Sequence, residues 1–172
     1  MNSRLAHHAA LAAILLLLSS CSAPRSDVPV KNTITQQEAN NRAEKYPQDA
    51  AASLTPPPRL ELLSRFDNSE CNDPTDNGPL GRVYVSRSYW LRDVPRERNA
   101  EVVEGLVRWW TQHDFVVIAD KRPKENWISV ESKTDGFSMS IQETPTGDLS
   151  LGATSPCVWP NGTPAPKPGS AN

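Results

Sequence analysis

The chain has 172 residues, with 18 basic and 20 acidic side chains and a formal net charge of −2. That balance excludes the basic excess by which nucleic-acid binding announces itself, and it gives no electrostatic reason to adhere to anionic lipid. Sixteen prolines against eight glycines favour stiff, extended linkers over floppy ones.

The N-terminus carries Arg4 and then an uncharged apolar run from Ala9 to Leu18. The run is as long as a signal-peptide core and too short to span a bilayer as a helix. It ends in Leu18-Ser19-Ser20-Cys21, the form of a bacterial lipoprotein signal. Two small residues open the bond before Cys21 to a peptidase, and the Cys21 thiol takes the lipid. Residues 1–20 are therefore predicted as a signal peptide and residues 21–34 as the lipidated cysteine and a polar tether. Fully extended, such a tether reaches at most about 45 Å. A single α+β domain is predicted over 35–160, with a disordered, proline-rich tail over 161–172. The expected location is the extracytoplasmic face of a cell membrane.

Thr35 followed by Glu38 fits a capping box and predicts a helix over 36–46. Pro47 is expected to end or kink it, with a further turn at 48–54. Few apolar residues mark this helix, so light packing is expected. Pro56-Pro57-Pro58 breaks the chain, Leu60, Leu62, Leu63 and Phe66 form an apolar cluster, and Asp67 to Gly81 reads as a loop rich in turn residues. Val83, Val85, Tyr89 and Leu91 alternate with polar residues, which predicts a half-buried strand over 82–92. Pro95 then opens a helix over 95–112, with Ala100, Val103, Leu106, Val107 and Trp110 on its apolar face. A buried strand is predicted at 115–119, alternating strands at 127–132 and 137–142, and a last strand from Leu149 towards Cys157. Thr134-Asp135-Gly136 and Pro145-Thr146-Gly147-Asp148 supply the turns. The fold class is α+β: a two-layer sandwich with an antiparallel sheet of four to five strands, one main covering helix and an N-terminal helix.

With Cys21 acylated, Cys71 and Cys157 make an even pair in an oxidising compartment, and a disulfide between them is predicted. Two cysteines cannot close a zinc site alone, and His113 is the one histidine beyond the leader. His113 falls in a helix-to-strand turn, where it complements the helix dipole better than it serves catalysis. Asn72 to Gly78 gathers oxygen ligands without EF-hand spacing, and Asx turns account for them. Asp120, Glu125, Glu131 and Asp135 read as solvated strand ends and turns. No phosphate loop, dinucleotide fingerprint or zinc-protease helix is present. No catalytic residue, cofactor or metal is therefore assigned, and the chain is not read as an enzyme.

The tryptophans carry the remaining signal. Trp109 and Trp110 are adjacent, so with Trp110 on the apolar stripe Trp109 is expected at its edge. Trp90 beside Tyr89 follows the same logic. A half-exposed aromatic anchors a ligand at little entropic cost, so Trp90 and Trp109 are the candidate binding residues.

Taken with the lipobox at Cys21, the segments Trp110-Thr111-Gln112-His113-Asp114-Phe115, Asp135-Gly136-Phe137-Ser138-Met139-Ser140 and Ser155-Pro156-Cys157 give the chain a likeness. It resembles the small secreted lipoproteins of actinobacteria, of the mycobacterial type. The resemblance covers about residues 56–160 and implies an exported, lipid-anchored α+β domain with one disulfide and no catalytic residues to carry over. The function expected is a membrane-anchored envelope module that binds a protein or a cell-wall component. The alternative is a carrier of a small ligand or lipid, in a cavity lined by Val103, Leu106, Phe115 and Ile128. No nucleic-acid partner is expected.

Overall fold

A computed structural model of the protein describes residues 31–72 and 79–164. The elements run α1 (Gln36–Ala52), β1 (Arg59–Glu70), β2 (Val83–Arg92), a 3-10 turn (Arg96–Arg98), α2 (Asn99–Gln112), β3 (Phe115–Asp120), β4 (Trp127–Ser132), β5 (Ser138–Glu143) and β6 (Leu149–Thr154). All six strands join one antiparallel sheet in the order β1-β2-β6-β5-β4-β3. The α+β class stands, with six strands in place of four to five. β3 to β6 form the meander that the short turns predict. α2 carries the chain from β2 to the far edge, and the meander returns it to β2.

The added strand is β1, which replaces the apolar cluster and the start of the predicted loop. Its ladder with β2 slips between Leu62 and Ser64 and again between Phe66 and Ser69. Each bulge breaks the period-two pattern, which is why the segment does not read as a strand. β3 corrects a second expectation: only Phe115 is buried, while Val116, Val117 and Ile118 are exposed on an edge strand. It too carries a bulge, between Val117 and Ala119, a common guard on a sheet edge.

Thr35 caps α1 as expected, its hydroxyl accepting from the Glu38 amide at 3.1 Å. The helix nevertheless continues through Pro47 to Ala52. Ala39, Ala43, Pro47, Ala50 and Ala51 are all buried, so the packing is close rather than light. Small side chains let the helix backbone approach the sheet. Tertiary packing of Ala50 and Ala51 outweighs the local cost of proline.

The stripe of α2 also turns. Val102, Val103, Leu106, Trp109 and Trp110 are buried, while Ala100 is exposed and Val107 half-buried. The spacing remains helical, but the face includes Trp109. The buried positions 102, 103, 106, 109 and 110 recur at three- and four-residue steps, so Trp109 completes the stripe. Leu54, beyond the end of α1, seats against Gly105: a Cβ there would lie 2.6 Å from Leu54 Cδ2. Trp110 donates its indole N–H towards Met139 Sδ at 3.3 Å.

Both helices pack on the face of β2 that shows Val83, Val85, Arg87, Tyr89 and Leu91. Arg87 is the one buried cation among the described residues, 2% exposed. It donates to Asn40 Oδ1 at 2.7 Å, to the Phe66 carbonyl at 3.2 Å and to the Ser86 carbonyl at 2.8 Å, and it pairs with Asp67. Its Nε lies 3.3 Å from Glu44 Oε2, an ion-pair contact without hydrogen-bond geometry. Glu44 also accepts from the Tyr89 hydroxyl at 2.6 Å. One guanidinium thus ties α1, β1 and β2 together.

A second clamp joins α1 to the β4–β5 turn. Asp135 accepts from the Tyr46 hydroxyl at 2.7 Å and from Arg42 at 3.1 Å. Burial pushes the Asp135 carboxyl up, but hydrogen bonds from Ser132, Tyr46 and Arg42 outweigh it and hold the group below its ordinary value. Burial, and then the bond to Asp135, push Tyr46 up to about 12.

The ends of the domain lie outside the predicted boundaries. Thr33 N–H donates to the Gly162 carbonyl at 2.9 Å, and the Trp159 indole donates to the Lys31 carbonyl at 3.2 Å. Lys31 to Ile34 and Asn161 to Pro164 therefore belong to the folded body. The predicted signal peptide, most of the predicted tether and the rest of the predicted tail fall outside the described residues.

Two expectations follow. Arg87→Ala should lower the unfolding free energy by about 3 kcal/mol in urea titration, the low end for breaking a buried pair because Asp67 and Glu44 reach solvent and rehydrate. The lowered Asp135 group stabilises the fold above its ordinary pKa of about 3.9 and loses that contribution as pH falls. Asp135→Asn should therefore flatten the acid limb of stability against pH, while Tyr46→Phe should remove the alkaline loss that sets in above about pH 10, the ordinary tyrosine value.

Candidate binding face

Directly paired residues of an antiparallel ladder share a face. The second face of the sheet therefore reads off the register. One row runs Glu61–Trp90–Ser150–Gln142–Trp127 across β1, β2, β6, β5 and β4. The next runs Ser64–Ser88–Gly152–Ser140–Ser129, and a third runs Phe66–Ser86–Thr154–Ser138–Glu131. No described helix covers these rows. The middle row holds only small residues and forms a flat floor. Gly152 lies at its centre because a Cβ there would meet Ser88 Oγ at 2.8 Å.

The two indoles stand at either end of the first row. Three strand spacings separate them, about 14 Å. Both are half-buried. The Arg92 guanidinium lies 5.2 Å from the Trp90 ring centre, and the Lys121 ammonium lies 4.6 Å from that of Trp127. These cations are themselves paired: Arg92 with Glu61 at 2.8 Å and Asp148 at 3.2 Å, Lys121 with Glu125 at 3.6 Å. The Arg92 guanidinium holds the Glu61 carboxyl below its ordinary value. Beside Trp127 the sheet end opens into a hollow of about 430 Å³, lined in part by Asn126, Gln142, Glu143 and Thr144. Asn126 donates to Glu143 Oε2 at 2.5 Å.

The polar groups divide in two. Ser132, Ser155 and Thr144 hold turns and strand ends by hydrogen bonds to neighbouring backbone. By contrast, Ser88, Ser129, Ser138, Ser140, Ser150 and Gln142 have no side-chain hydrogen-bond partner among the described residues. Their capacity is free for a ligand or water.

Trp90 lies on this face and is half-buried. Trp109 does not: it is 8% exposed, stacks on His113 with 4.1 Å between ring centres and packs near Phe115. Its placement at an exposed edge is corrected: it lies three and seven residues on from Leu106 and Val102, on the buried stripe of α2. The sequence reading missed Gln142, Asn126 and the pairing of Trp90 with Trp127 in one row. The alternating serines at 86 and 88, and at 138 and 140, were the available signal. Val103, Leu106, Phe115 and Ile128, taken as a cavity wall, all sit in one packed core cluster.

His113 caps α2, its Nδ1 2.7 Å from the Trp109 carbonyl. A hydrogen-bonded Arg122 holds Asp120 down to about 2, so that carboxylate is a poor proton carrier near neutrality. Among the described residues no three His, Cys, Asp or Glu side chains group to hold a metal ion. Asp73 to Gly78 of the oxygen-rich loop, and Cys21, lie outside the described residues. Cys71 and Cys157 form the predicted disulfide, with Cα atoms 6.1 Å apart, joining the end of β1 to the segment after β6. No protein-family model, curated protein or solved structure matches the chain.

Cys71→Ser should lower the unfolding free energy by about 2–5 kcal/mol, because the bridge closes a long loop in the unfolded chain. Thermal melts of this variant and of the reduced wild type should agree; an unchanged melting temperature in both would refute a stabilising bridge.

Proposed function

We propose that the protein is a non-enzymatic envelope lipoprotein, anchored through lipid on Cys21, that binds its partner on the open face of the sheet. The observation that carries this reading is the face itself. Two half-buried tryptophans and a set of unpartnered hydroxyls share one side of the sheet, while both helices occupy the other. Solvated sheet faces normally carry charged and β-branched residues, and a flat floor of serine contributes little to strand stability. The anchor is supported by the leader and by the lipobox ending at Cys21. Among the described residues no helix is long and apolar enough to cross a membrane. The burial of Val103, Leu106, Phe115 and Ile128 in the packed core favours the open face over the internal carrier site.

A photo-crosslinking amino acid at Ser140, in the middle of the floor, should capture an envelope component in cells. The same group at Glu104, exposed on α2, should not. Cys21→Ala should release the protein from the membrane fraction and reduce the Ser140 adduct. Equal adducts from both positions would sink the face as the binding surface, and membrane retention by Cys21→Ala would sink the anchor.

A further inference from the structure

Four features of the open face and the adjoining sheet end meet on the row from Trp90 to Trp127, and together they define a ligand chemistry. The first is spacing. The indoles are three strands apart, about 14 Å, with the polar side chains of Ser150 and Gln142 between them. A ligand that uses both must be a chain laid across the strands rather than a compact molecule. The second is hydrogen bonding. Ser88, Ser129, Ser140, Ser150 and Gln142 present hydroxyls and an amide that donate and accept, with no partner among the described residues.

The third is charge complementarity. Between the indoles the row and the floor are uncharged, and the two cations at its ends are already paired with Glu61, Asp148 and Glu125. A phosphate polymer or an acidic glycan would find no unpaired cation between the two rings. A protein partner held by apolar contact would find a floor of hydroxyls. The fourth is the hollow at the sheet end beside Trp127, lined in part by Lys124, Glu125, Asn126, Gln142, Glu143 and Thr144, where one cation stands against two carboxylates among amide and hydroxyl groups.

A neutral sugar chain matches all four. Each ring offers an apolar face to an indole and hydroxyls to the floor, and successive rings give it the required length. We infer that the open face binds a neutral glycan chain, which lies across β2, β6, β5 and β4, stacks one ring on Trp90 and another on Trp127, and seats its end in the hollow beside Trp127. This rests on the open face being the binding surface. Each paired cation lies over one indole and restrains it, so part of the ordering entropy of binding is lost before the ligand arrives.

The test is an array of neutral oligosaccharides, from disaccharides to octasaccharides of gluco-, manno-, galacto- and N-acetylglucosamine type, probed with the full chain in detergent and followed by calorimetry. Anionic oligosaccharides and vesicles of anionic phospholipid serve as the other arms. The expected result is binding to a neutral series whose affinity rises with length until both indoles are spanned. Trp90→Ala and Trp127→Ala should each weaken it roughly tenfold or more, with unchanged melting temperature. Ser140→Arg, which puts a long charged side chain into the floor, should abolish it. Binding confined to an anionic arm would overturn the glycan assignment, as would neutral binding with no length dependence or none lost in the tryptophan variants. A blank array together with a Ser140-specific crosslink to a protein would overturn the glycan and leave the face as the binding surface. A blank array with no such crosslink would overturn both.

Discussion

A buried guanidinium is costly unless its hydrogen bonds are met, and the way Arg87 meets them fixes much of this molecule. It sits on the inner face of β2, and its donors reach Asn40 on α1, Asp67 on β1 and the carbonyl of Phe66. Satisfying them requires α1 to lie over β2 and β1 to flank it. The aliphatic part of the side chain packs as a core residue would, while the head is turned to partners that reach solvent. The ion pair does more to specify the arrangement than to stabilise it. An apolar residue would fill the volume, but it would not select the register that brings Asp67 and Asn40 to one point.

With α1 committed to that face and α2 packed beside it, the buried apolar core is gathered on one side of the sheet. The two core clusters meet at Tyr46, which packs against both and makes edge contacts with Phe115 and Phe137 at 5.5 and 5.4 Å. The opposite side is left with a floor of short polar side chains between Trp90 and Trp127, with Phe66, Glu61 and Glu131 at its margins. Such a face adds little to folding, so its composition is free to answer to something else. That division of labour within each strand is the physical ground for locating function on the face without helices.

The sheet edges show the same separation. β1 and β3 expose Leu62, Leu63, Phe66, Val116, Val117 and Ile118, and both strands are interrupted by bulges. A bulge twists the strand and spoils the regular row of donors and acceptors that another chain would need for pairing. The disulfide then pins the far end of β1 to the segment that follows β6, at a point where Val83 and Val158 already form a bridge. Covalent and hydrogen-bonded closure reinforce each other at the end of the sheet remote from the row of tryptophans.

What the sequence determined by itself was local. Alternation in Val83 to Leu91 and in Ser138 to Gln142 marked regular strands, glycines 136 and 147 marked turns that require positive φ, and cysteine parity marked the bridge, because each signal arises within a few residues or from a chemical count. β1 escaped because its bulges break the period. Trp109 escaped because the apolar stripe of α2 is wide enough to bury both adjacent indoles, which the reading from Ala100 and Val107 did not allow. Helix α1 outran Pro47 because its alanines are held by the sheet. The candidate site was half legible: a lone Trp90 signals an aromatic, but nothing in the order of residues says that Ser150 and Gln142 separate it from Trp127. That line exists only once β6 inserts between β2 and β5. Strand order is a long-range property, decided by which closures satisfy Arg87 and bury the inner face together, and it alone turned scattered serines and tryptophans into a surface.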